Sequence, residues 1–456
     1  MEGANSMIRN MLVLIAFLWP LPAMLASAQQ PASVQPRHLR LDEAVQLALQ
    51  HNHIVRIARS QVEEKQYSKE IARSAYYPLL RNDSSVLRLT DTQFIAIPKG
   101  SLGVAGGSLI PPATAILNQG GLTVVTSGTG LTQPLTGLLR IKSANDIAAA
   151  ELRGTRSKSQ ATQNQIALGV RQIYYRILVL QSQKDAVQAK LQASEDLQKE
   201  RVAQVKYGSA LEESSIESRA QFLEAKQELL TTELQLSDAT MQLDDAIGLP
   251  LTTQLALDPS VPAASQNCQR EECIRIALAK QPEIAEAQAK VEQATAAVRL
   301  AKRQYVPDID AFARYSYSDN VPFLARNFGT FGAHFGYDLF DGGRRNAAIA
   351  ERKAQLDQAE ENLARVKEDV ELRVQTAYNK IERTREMLQV SEELLATRTE
   401  SRRVSAQQLQ QGAALRSDAD AAAARESAAQ AILRQSQLDY LQAADEMTEA
   451  MGLTPE

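Results

Sequence analysis

The sequence predicts a mostly α-helical, tandemly duplicated chain that also supplies β-strands to a membrane. Two long parts of the chain align on each other without gaps. The long central stretches have the seven-residue apolar periodicity of coiled coils. Short stretches of alternating apolar and polar residues interrupt these helices, as in membrane-spanning β-strands. Aromatic residues make up only 5% of the chain, which is typical of long helices rather than of a compact globule.

The amino-terminal residues have the three parts of a secretory signal peptide, predicted at 1–28. Arg9 supplies positive charge, Met11–Trp19 is an apolar run, and the small residues 26–28 form a cleavage site. The run is shorter than the ~20 residues that a membrane-spanning helix needs, which favours a cleaved signal over an anchor. Because no cysteine follows the cleavage site, a lipoprotein anchor is not expected.

Composition gives little support for binding or catalytic chemistry. The net charge of −4 and a pI of about 5.8 do not favour nucleic acid as a partner. Four histidines and two cysteines, without ligand spacing, leave little material for a metal site. No nucleophile motif, phosphate-binding loop or paired-carboxylate motif is present, so we expect neither an enzyme nor a cofactor.

Two parts of the chain repeat with constant offsets. Residues 41–78 align on 270–307 with an offset of 229, and residues 133–249 align on 337–453 with an offset of 204. The offset falls by 25, so the first repeat carries an extra Gly/Pro-rich loop, placed near 92–116. The identical pairs that a helical composition does not explain include Tyr76/Tyr305, Pro78/Pro307, Tyr174/Tyr378, Gly208/Gly412 and Gly248/Gly452.

Each repeat is predicted to contain a helix, a β-hairpin, a long helix and a further helix. Proline ends the first helix, and glycine separates the last two. A long helix of ~70 residues spans ~105 Å. The two shorter helices of each repeat, placed end to end, have nearly the same total length. The segments that connect the repeats are therefore expected to lie half-way along the long helices. The predicted divisions are an N-terminal belt segment 29–40, repeat 1 at 41–249 with its hairpin and long loop at 79–133, an equatorial linker 250–269, and repeat 2 at 270–453 with its hairpin at 307–341. The predicted helices are 41–75, 137–206 and 211–247, then 270–304, 341–410 and 415–451.

The hairpin of repeat 2 carries the clearest membrane signal. Alternate residues from Ile309 to Tyr317 are apolar, and so are alternate residues from Phe331 to Leu339. The alternative is a hairpin in the sheet of a soluble protein, with one face in the core and the other exposed to solvent. Four strands per chain cannot close a barrel, and an open edge cannot lie in lipid. Two chains would supply eight strands, too few for an open lumen, whereas three chains supply twelve.

The sequence resembles the TolC-like outer-membrane efflux protein family. The resemblance rests on LDEAVQLALQHNHI at 41–54, QPLTGLLR at 133–140, YDLFDGGRR at 337–345, and the GLP and GLT endings of the two repeats. It implies a homotrimer in outer-membrane lipid, with a twelve-stranded β-barrel above a coiled-coil α-barrel. It also implies a passive exit duct, gated at its periplasmic end, whose partners are a periplasmic adaptor and an inner-membrane transporter of the RND or ABC type. The extra loop would lie outside the cell or fold into the mouth.

The resemblance also implies which residues form the periplasmic end, where the channel closes and contacts the adaptor. The family often has acidic residues about six and nine positions after the glycine of repeat 2. In this chain Asp418 and Asp420 are the candidates for a gate ring, and the ninth position is Ala421. The alternative is that both aspartates have no gating role and are solvent-exposed residues at a helix start, where the helix dipole favours negative charge. The residues expected to meet the adaptor are Tyr207, Gly208, Ser209, Gln411, Gly412 and Ala413.

Several alternatives stay open at this stage. Cys268 and Cys273 form a disulfide or remain unpaired thiols, because an export signal permits the bond without requiring it. The transported substrate is either a small molecule such as a drug or a protein of a type I secretion system. A trimeric coiled-coil surface or periplasmic structural protein shares the signal and the helices, but does not predict a duplication with two matched hairpins.

Overall fold

The computed structural model describes residues 37–92, 94–118, 120–251, 253–260, 268–321 and 324–454. The predicted signal peptide and most of the N-terminal belt segment lie outside these residues. The described helices are α1 Leu41–His51, α2 His53–Ser74, α3 Leu138–Lys206, α4 Glu212–Ile247, α5 Arg270–Lys280, α6 Pro282–Lys302, α7 Arg344–Gln410 and α8 Arg416–Ala450. The described strands are β1 Arg37–Leu39, β2 Leu79–Arg88, β3 Phe94–Ile97, β4 Val104–Ala105, β5 Ser108–Leu109, β6 Ala115–Asn118, β7 Thr123–Pro134, β8 Leu255–Leu257, β9 Asp308–Asp319 and β10 Asn327–Gly336.

The prediction of one continuous first helix in each repeat is wrong. Asn52 separates α1 from α2 in an extended conformation, where its side chain accepts a hydrogen bond from the Ile54 N–H and donates at 3.0 Å to the Ala246 carbonyl. Gln281 separates α5 from α6 in the same way, ahead of a proline that disfavours a helical residue before it. Its side chain donates at 3.4 Å to the Ala450 carbonyl, the repeat-2 counterpart of Ala246.

The long helices agree with their predicted bounds to within three residues. α3 has 69 residues and α7 has 67, so each is about 100 Å long. α3 is central: it packs against α2 and α6 in the half near the large sheet and against α4 and α8 in the other half. α7 packs against α6 and α8 in the corresponding halves. The helices therefore form one layer, with α2 and α4 at one edge and α7 at the other.

A four-stranded antiparallel sheet with the order β10-β9-β7-β2 continues this layer. On one face, Ala313 of β9 lies between Phe331 of β10 and Leu131 of β7. The opposite face carries charge, including Arg314 on β9 and Asp83 on β2. A few polar groups on the apolar face bond to each other, since the hydroxyls of Ser84 and Ser127 and the side chains of Asn82 and Thr129 are 2.8 Å apart. The separation is partial, because Phe312 and Phe328 lie on the charged face and Asp319 lies on the apolar one. A sheet with one mostly apolar face and one mostly polar face is the pattern of membrane-spanning strands.

Two apolar clusters lie at mid-height, where the short helices meet the long ones. One contains Tyr174, Leu243 and Ile247, and the other contains Val370 and Met447. β1 pairs in parallel with β8, so a short belt crosses the first cluster. The Tyr174 hydroxyl is 2.9 Å from the carbonyl oxygens of Leu39 and Asp258, which holds this belt against α3. None of the helices in the described parts is long and apolar enough to cross a membrane.

Candidate functional site: the helical turns and the inner surfaces

The two turns farthest from the sheet join α3 to α4 and α7 to α8. Gly208 and Gly412 adopt left-handed φ values of 72° and 69°. The N–H groups of Ser209 and Ala413 each donate at 2.9 Å to a carbonyl five residues earlier, which closes the helix in a Schellman motif. A Cβ on either glycine would meet nothing within 4 Å. Backbone conformation rather than crowding therefore requires glycine here, and the turns have an open outer surface.

All six residues predicted to contact a partner lie exposed at these turns. Tyr207 is 81% exposed and the nearby Leu211 is 76% exposed. The Ser209 hydroxyl is already used, because it donates to the Gln204 carbonyl at 2.9 Å. The α3–α4 turn thus presents two large side chains, Tyr207 and Leu211, to solvent beside the exposed charges of Lys206 and Glu212.

Two carboxylates bind the amino-terminal end of α8. Asp418 is the third residue of α8 and lies exposed, and its Oδ2 accepts from the Leu415 N–H at 3.3 Å. Glu200 reaches over from α3, and its Oε2 accepts from the Ser417 N–H at 3.4 Å. Both bonds satisfy N–H groups that a helix start leaves free, and both place negative charge at the positive end of the helix dipole. The Glu200 bond also ties α3 to α8 close to the turns.

The structure separates the two candidate gate residues. Asp420 is only partly exposed, and among the described residues its buried Oδ2 has no hydrogen-bond partner. Its nearest cation is Arg416, whose Nε lies 3.6 Å away, too far for a hydrogen bond. Asp418 is therefore the aspartate that α8 presents to solvent, and Asp420 faces the packed side of the helix.

A groove of about 720 Å³ runs between α3, α4 and α8 next to these turns. Ala421 lines it together with Ala424 and Ala428, so small side chains of α8 form one wall. Lys190 of α3 and Glu228 of α4 form a 2.7 Å ion pair at another wall. Ala421, which takes the ninth position after Gly412, therefore lines a groove between helices.

A buried polar cluster joins α3 to α8 at mid-height. The carboxylate of Asp445 accepts at 2.7 Å from Arg171 Nε and at 2.7 Å from the Tyr175 hydroxyl. Arg171 also donates to the Tyr175 oxygen at 3.2 Å. Burial, and then the charge of Asp445, raise the pKa of Tyr175, which keeps its proton available for this bond. Because all three groups are buried and mutually bonded, the cluster fixes the relative position of the two long helical hairpins.

Nearer the turns, α7 and α8 are joined by a further ion pair. Arg402 of α7 contacts Glu426 of α8, a residue that is buried except for 5% of its surface. The hydrogen bond from the Arg402 guanidinium lowers the pKa of Glu426 and keeps it ionised. The α7–α8 hairpin therefore stays closed through a charge that could not be left unpaired at low cost.

The two cysteines are joined in a disulfide across the start of α5. Their Cα atoms are 5.8 Å apart, and Cys273 is buried in the second apolar cluster. Cys268 lies near Met451, at the end of α8. The bond holds the end of the equatorial linker against the core of repeat 2.

Sequence reasoning missed the groups that join α3 to α8. Glu200 and Arg171 sit on a 69-residue helix rich in charged residues, where most such groups are solvated surface. Nothing along the sequence indicates that their partners lie more than 200 residues away. The one available signal was that Arg171 and Tyr175 stand at positions with apolar neighbours at coiled-coil spacing, where a polar residue is unusual.

Together these features are those of an outer-membrane channel subunit: a sheet with one mostly apolar face, continued by helices of about 100 Å with exposed turns. The model of the outer membrane efflux protein family matches residues 44–249 and 273–453. The chain therefore belongs to this family, and the two matched segments fall in the two predicted repeats. No curated protein matches the sequence.

Solved structures share the fold at low sequence identity. The CmeC outer membrane channel of Campylobacter jejuni is 12% identical with a TM-score of 0.75, over 90% of this chain and 85% of that chain. VceC, an outer membrane protein of Vibrio cholerae, is 16% identical with a TM-score of 0.72, over 91% and 97%. The open state of the MtrE outer membrane channel of Neisseria gonorrhoeae is 16% identical with a TM-score of 0.70, over 91% and 89%.

Family membership establishes the class of function. Members are non-enzymatic efflux channels of the outer membrane that extend into the periplasm, and they work as trimers with adaptors and inner-membrane transporters. The fold class predicted from the sequence, a duplicated chain of long helices with membrane strands, is confirmed. The location in the outer membrane is confirmed as well.

Proposed function

We propose that three copies of this chain form one exit duct, which carries small molecules from a tripartite efflux pump across the outer membrane. The observation that carries the proposal is the pair of open edges of the four-stranded sheet, β2 and β10. Every pairing in the sheet is antiparallel, so β2 and β10 run in opposite directions. The β10 edge of one copy can therefore pair with the β2 edge of the next and keep the antiparallel order of a closed barrel.

The helices have open edges on the same two sides. α2 leads directly into β2, and α7 follows directly from β10. The α4 edge carries apolar residues that water would otherwise surround, with Ile216, Leu223 and Leu230 exposed at seven-residue spacing. The α7 edge has an exposed apolar set of its own, including Leu372 and Val390. Heptad-spaced residues on neighbouring edges are what a coiled-coil seam between subunits needs.

Assembly is tested by fractionating cells and measuring the mass of the purified protein in detergent. We expect the protein in the outer-membrane fraction and a mass of three chains. The variant Leu223→Glu with Leu230→Glu should weaken the trimer. The control Glu224→Gln with Gln235→Glu, two exposed positions roughly 100° around the same helix from Leu223, should not. A water-soluble monomer would contradict the proposal.

The periplasmic end of the duct is proposed to close at a ring of three Asp418 side chains. Around a threefold axis each inward side chain appears three times, and three carboxylates would favour cations and hold a hydrated divalent ion. Asp418 is exposed, whereas Asp420 is partly buried beside Arg416. The competing role of Asp418 is the bond to the Leu415 N–H, worth about 1 kcal/mol as a helix cap.

Two substitutions separate the ring from the cap. Asp418→Asn removes the charge, but its amide oxygen can still accept from the Leu415 N–H, whereas Asp418→Ala removes both. In planar bilayers we expect both variants to lose cation selectivity and block by divalent cations, and only the alanine variant to lose stability as well. Asp420→Asn is the control and should conduct as the parent does. If Asp418→Asn selects and blocks as the parent does, the constriction lies elsewhere.

The turns at Gly208 and Gly412 are proposed to receive the tip of the periplasmic adaptor. Their surfaces are open, and Tyr207 offers a large apolar contact. Replacing both glycines by a bulky residue should abolish export while the trimer still inserts. Tyr207→Ala should weaken adaptor binding with no effect on the assembly. Loss of the trimer in the glycine variant, together with normal export in Tyr207→Ala, would assign the turns a structural role only.

The transported class is proposed to be small molecules such as drugs, delivered by an inner-membrane transporter of the RND or ABC type. In this proposal the inner-membrane transporter, rather than this chain, selects what enters the duct. Deleting the gene should raise susceptibility to several antibiotics, and a plasmid copy should restore resistance. Unchanged susceptibility combined with loss of a secreted protein would contradict small-molecule export.

A further inference from the structure

The extra residues of repeat 1 form a two-stranded ribbon that extends beyond the sheet. β3 pairs antiparallel with β6, and we call residues 94–97 and 115–118 the outer ribbon. A small hairpin follows at its tip, where β4 pairs with β5 around Gly106 and Gly107. Lys99 is the only charged residue between positions 94 and 118.

Both faces of the outer ribbon are mostly apolar, and Asn118, the partner of Phe94, is the polar exception. Phe94 and Ile116 lie on one face, and Ile95 and Leu117 lie opposite each other on the other. Phe94 is 57% exposed and Ile116 is 66% exposed, so the described residues of the same chain leave both faces largely uncovered. A two-stranded ribbon alone is at best marginally stable in water and usually keeps one face polar. These faces therefore require other partners.

The position of the ribbon indicates which partners are near. β2 has 10 residues and β7 has 12, enough to cross a bilayer, so the ribbon lies beyond the membrane on the side away from the helices. Lipid tails do not reach a segment placed there. The ribbon continues from β2, the strand at the subunit edge, which brings it beside the neighbouring subunit of the trimer.

We propose that the three outer ribbons of the trimer pack on each other and close the outer mouth of the channel. In a threefold ring each subunit meets its two neighbours through two different surfaces. An outer ribbon with two apolar faces meets this requirement, because the Phe94 face of one copy covers the Ile95 face of the next. The inference rests on the trimer of the proposed function, and it adds a second closure at the opposite end from Asp418.

The dimensions of the barrel allow this arrangement. Twelve strands ~4.8 Å apart and tilted by ~40° close a barrel with a backbone radius of about 12 Å. A ribbon with side chains on both faces is about 10 Å thick, the spacing of packed sheets. Three ribbons around the axis would then fill an opening about 24 Å across, which one or two ribbons would leave open.

Cysteine cross-linking tests the contact directly. Ile95 and Ile116 point to opposite faces of the same ribbon, so cysteines at both positions cannot join within one chain. Oxidising trimers of Ile95→Cys/Ile116→Cys should give covalent dimers and trimers on a denaturing gel, and each single variant should give none. Phe94→Cys/Leu117→Cys provides an independent second pair. The matched control is Ser84→Cys/Ser85→Cys, on opposite faces of β2 in the barrel wall, which should stay monomeric.

The outcomes separate this inference from the proposed function. The mass of each variant is measured first without oxidant, and a monomer there would count against the trimer itself. Intact trimers in which neither ribbon pair cross-links would overturn the ribbon contact alone. The same holds if ribbon cysteines in intact cells react with a water-soluble maleimide as fast as Leu102→Cys, at the exposed tip.

Closure of the mouth is tested by access from outside the cell. Ser316 lies on the charged face of the sheet, with Arg314 and Asp310, and Ser316→Cys places a thiol inside the barrel. A bulky polyethylene-glycol maleimide added to intact cells should label it several-fold faster when residues 91–120 are replaced by a short Asn-Gly turn. Equal labelling of the full-length and shortened chains would overturn the closure.

Discussion

The close packing around Gly452, at the end of α8, can be tested by comparing a substitution there with the same substitution at Gly412, at the end of α7. Both follow a long helix and both have left-handed φ values, 69° and 74°. An added Cβ at Gly412 would meet nothing within 4 Å, whereas at Gly452 it would lie 2.6 Å from the Gln281 Cα and 2.7 Å from the Lys280 carbonyl oxygen. Gln281 is the residue at which the first helix of repeat 2 breaks, so Gly452 lets the two chain segments meet.

The expected costs follow from these distances. Gly412→Ala forces an alanine into a left-handed conformation, which costs roughly 1–2 kcal/mol. Gly452→Ala carries the same cost and also pushes backbone apart, which adds about 1–3 kcal/mol as overpacking does. Because the clash is with backbone atoms, no side chain can move aside to relieve it. Gly452→Ala should therefore destabilise the protein by about twice as much.

The assay is thermal unfolding of the purified trimer in detergent, followed by circular dichroism at one heating rate, because unfolding of such assemblies is usually irreversible. The apparent midpoints should fall in the order parent, Gly412→Ala, Gly452→Ala. Export should fall with Gly452→Ala only as far as the amount of folded trimer falls. If Gly452→Ala unfolds at or above the midpoint of Gly412→Ala, the close approach of Gly452 to the helix break is not a feature of the folded protein.

Three further predictions concern buried charge and the outer loop. Asp445→Asn leaves Arg171 buried without its carboxylate and should cost about 3–5 kcal/mol, seen as a lower thermal midpoint, whereas replacing both residues by aliphatic ones should recover much of the loss. Burial raises the pKa of Asp244 from 3.8 to about 6, so its ionisation above that pH costs the folded state roughly 3 kcal/mol. Asp244→Asn should therefore stabilise the protein at about pH 8 and change little at about pH 4, and an equal effect at both values would contradict this assignment. An epitope inserted after Gly106, at the open hairpin tip, should be detected on intact cells, and labelling only after lysis would reverse the orientation.

The sequence by itself determined the elements that depend on local periodicity. The heptad apolar positions of α7, the prolines after the first helices and the glycines at 208 and 412 each act through residues close to them in the chain. These signals located the long helices to within three residues and placed the exposed turns. The gap-free offsets of 229 and 204 then predicted two structurally similar repeats.

The tertiary structure alone decided which of these residues touch. The break at Asn52 looks like ordinary helix sequence, and it becomes favourable because Ala246, 194 residues later, offers a free carbonyl at 3.0 Å. In the sequence Glu200 is one of many charged residues on α3, and only the packing of α8 against α3 brings the Ser417 N–H to its carboxylate. Hydrogen bonds and ion pairs act over a few ångströms, so they depend on how the helices pack. Helical and strand periodicity can therefore be read from the sequence, whereas the residues that contact a polar side chain can be identified only from the tertiary structure.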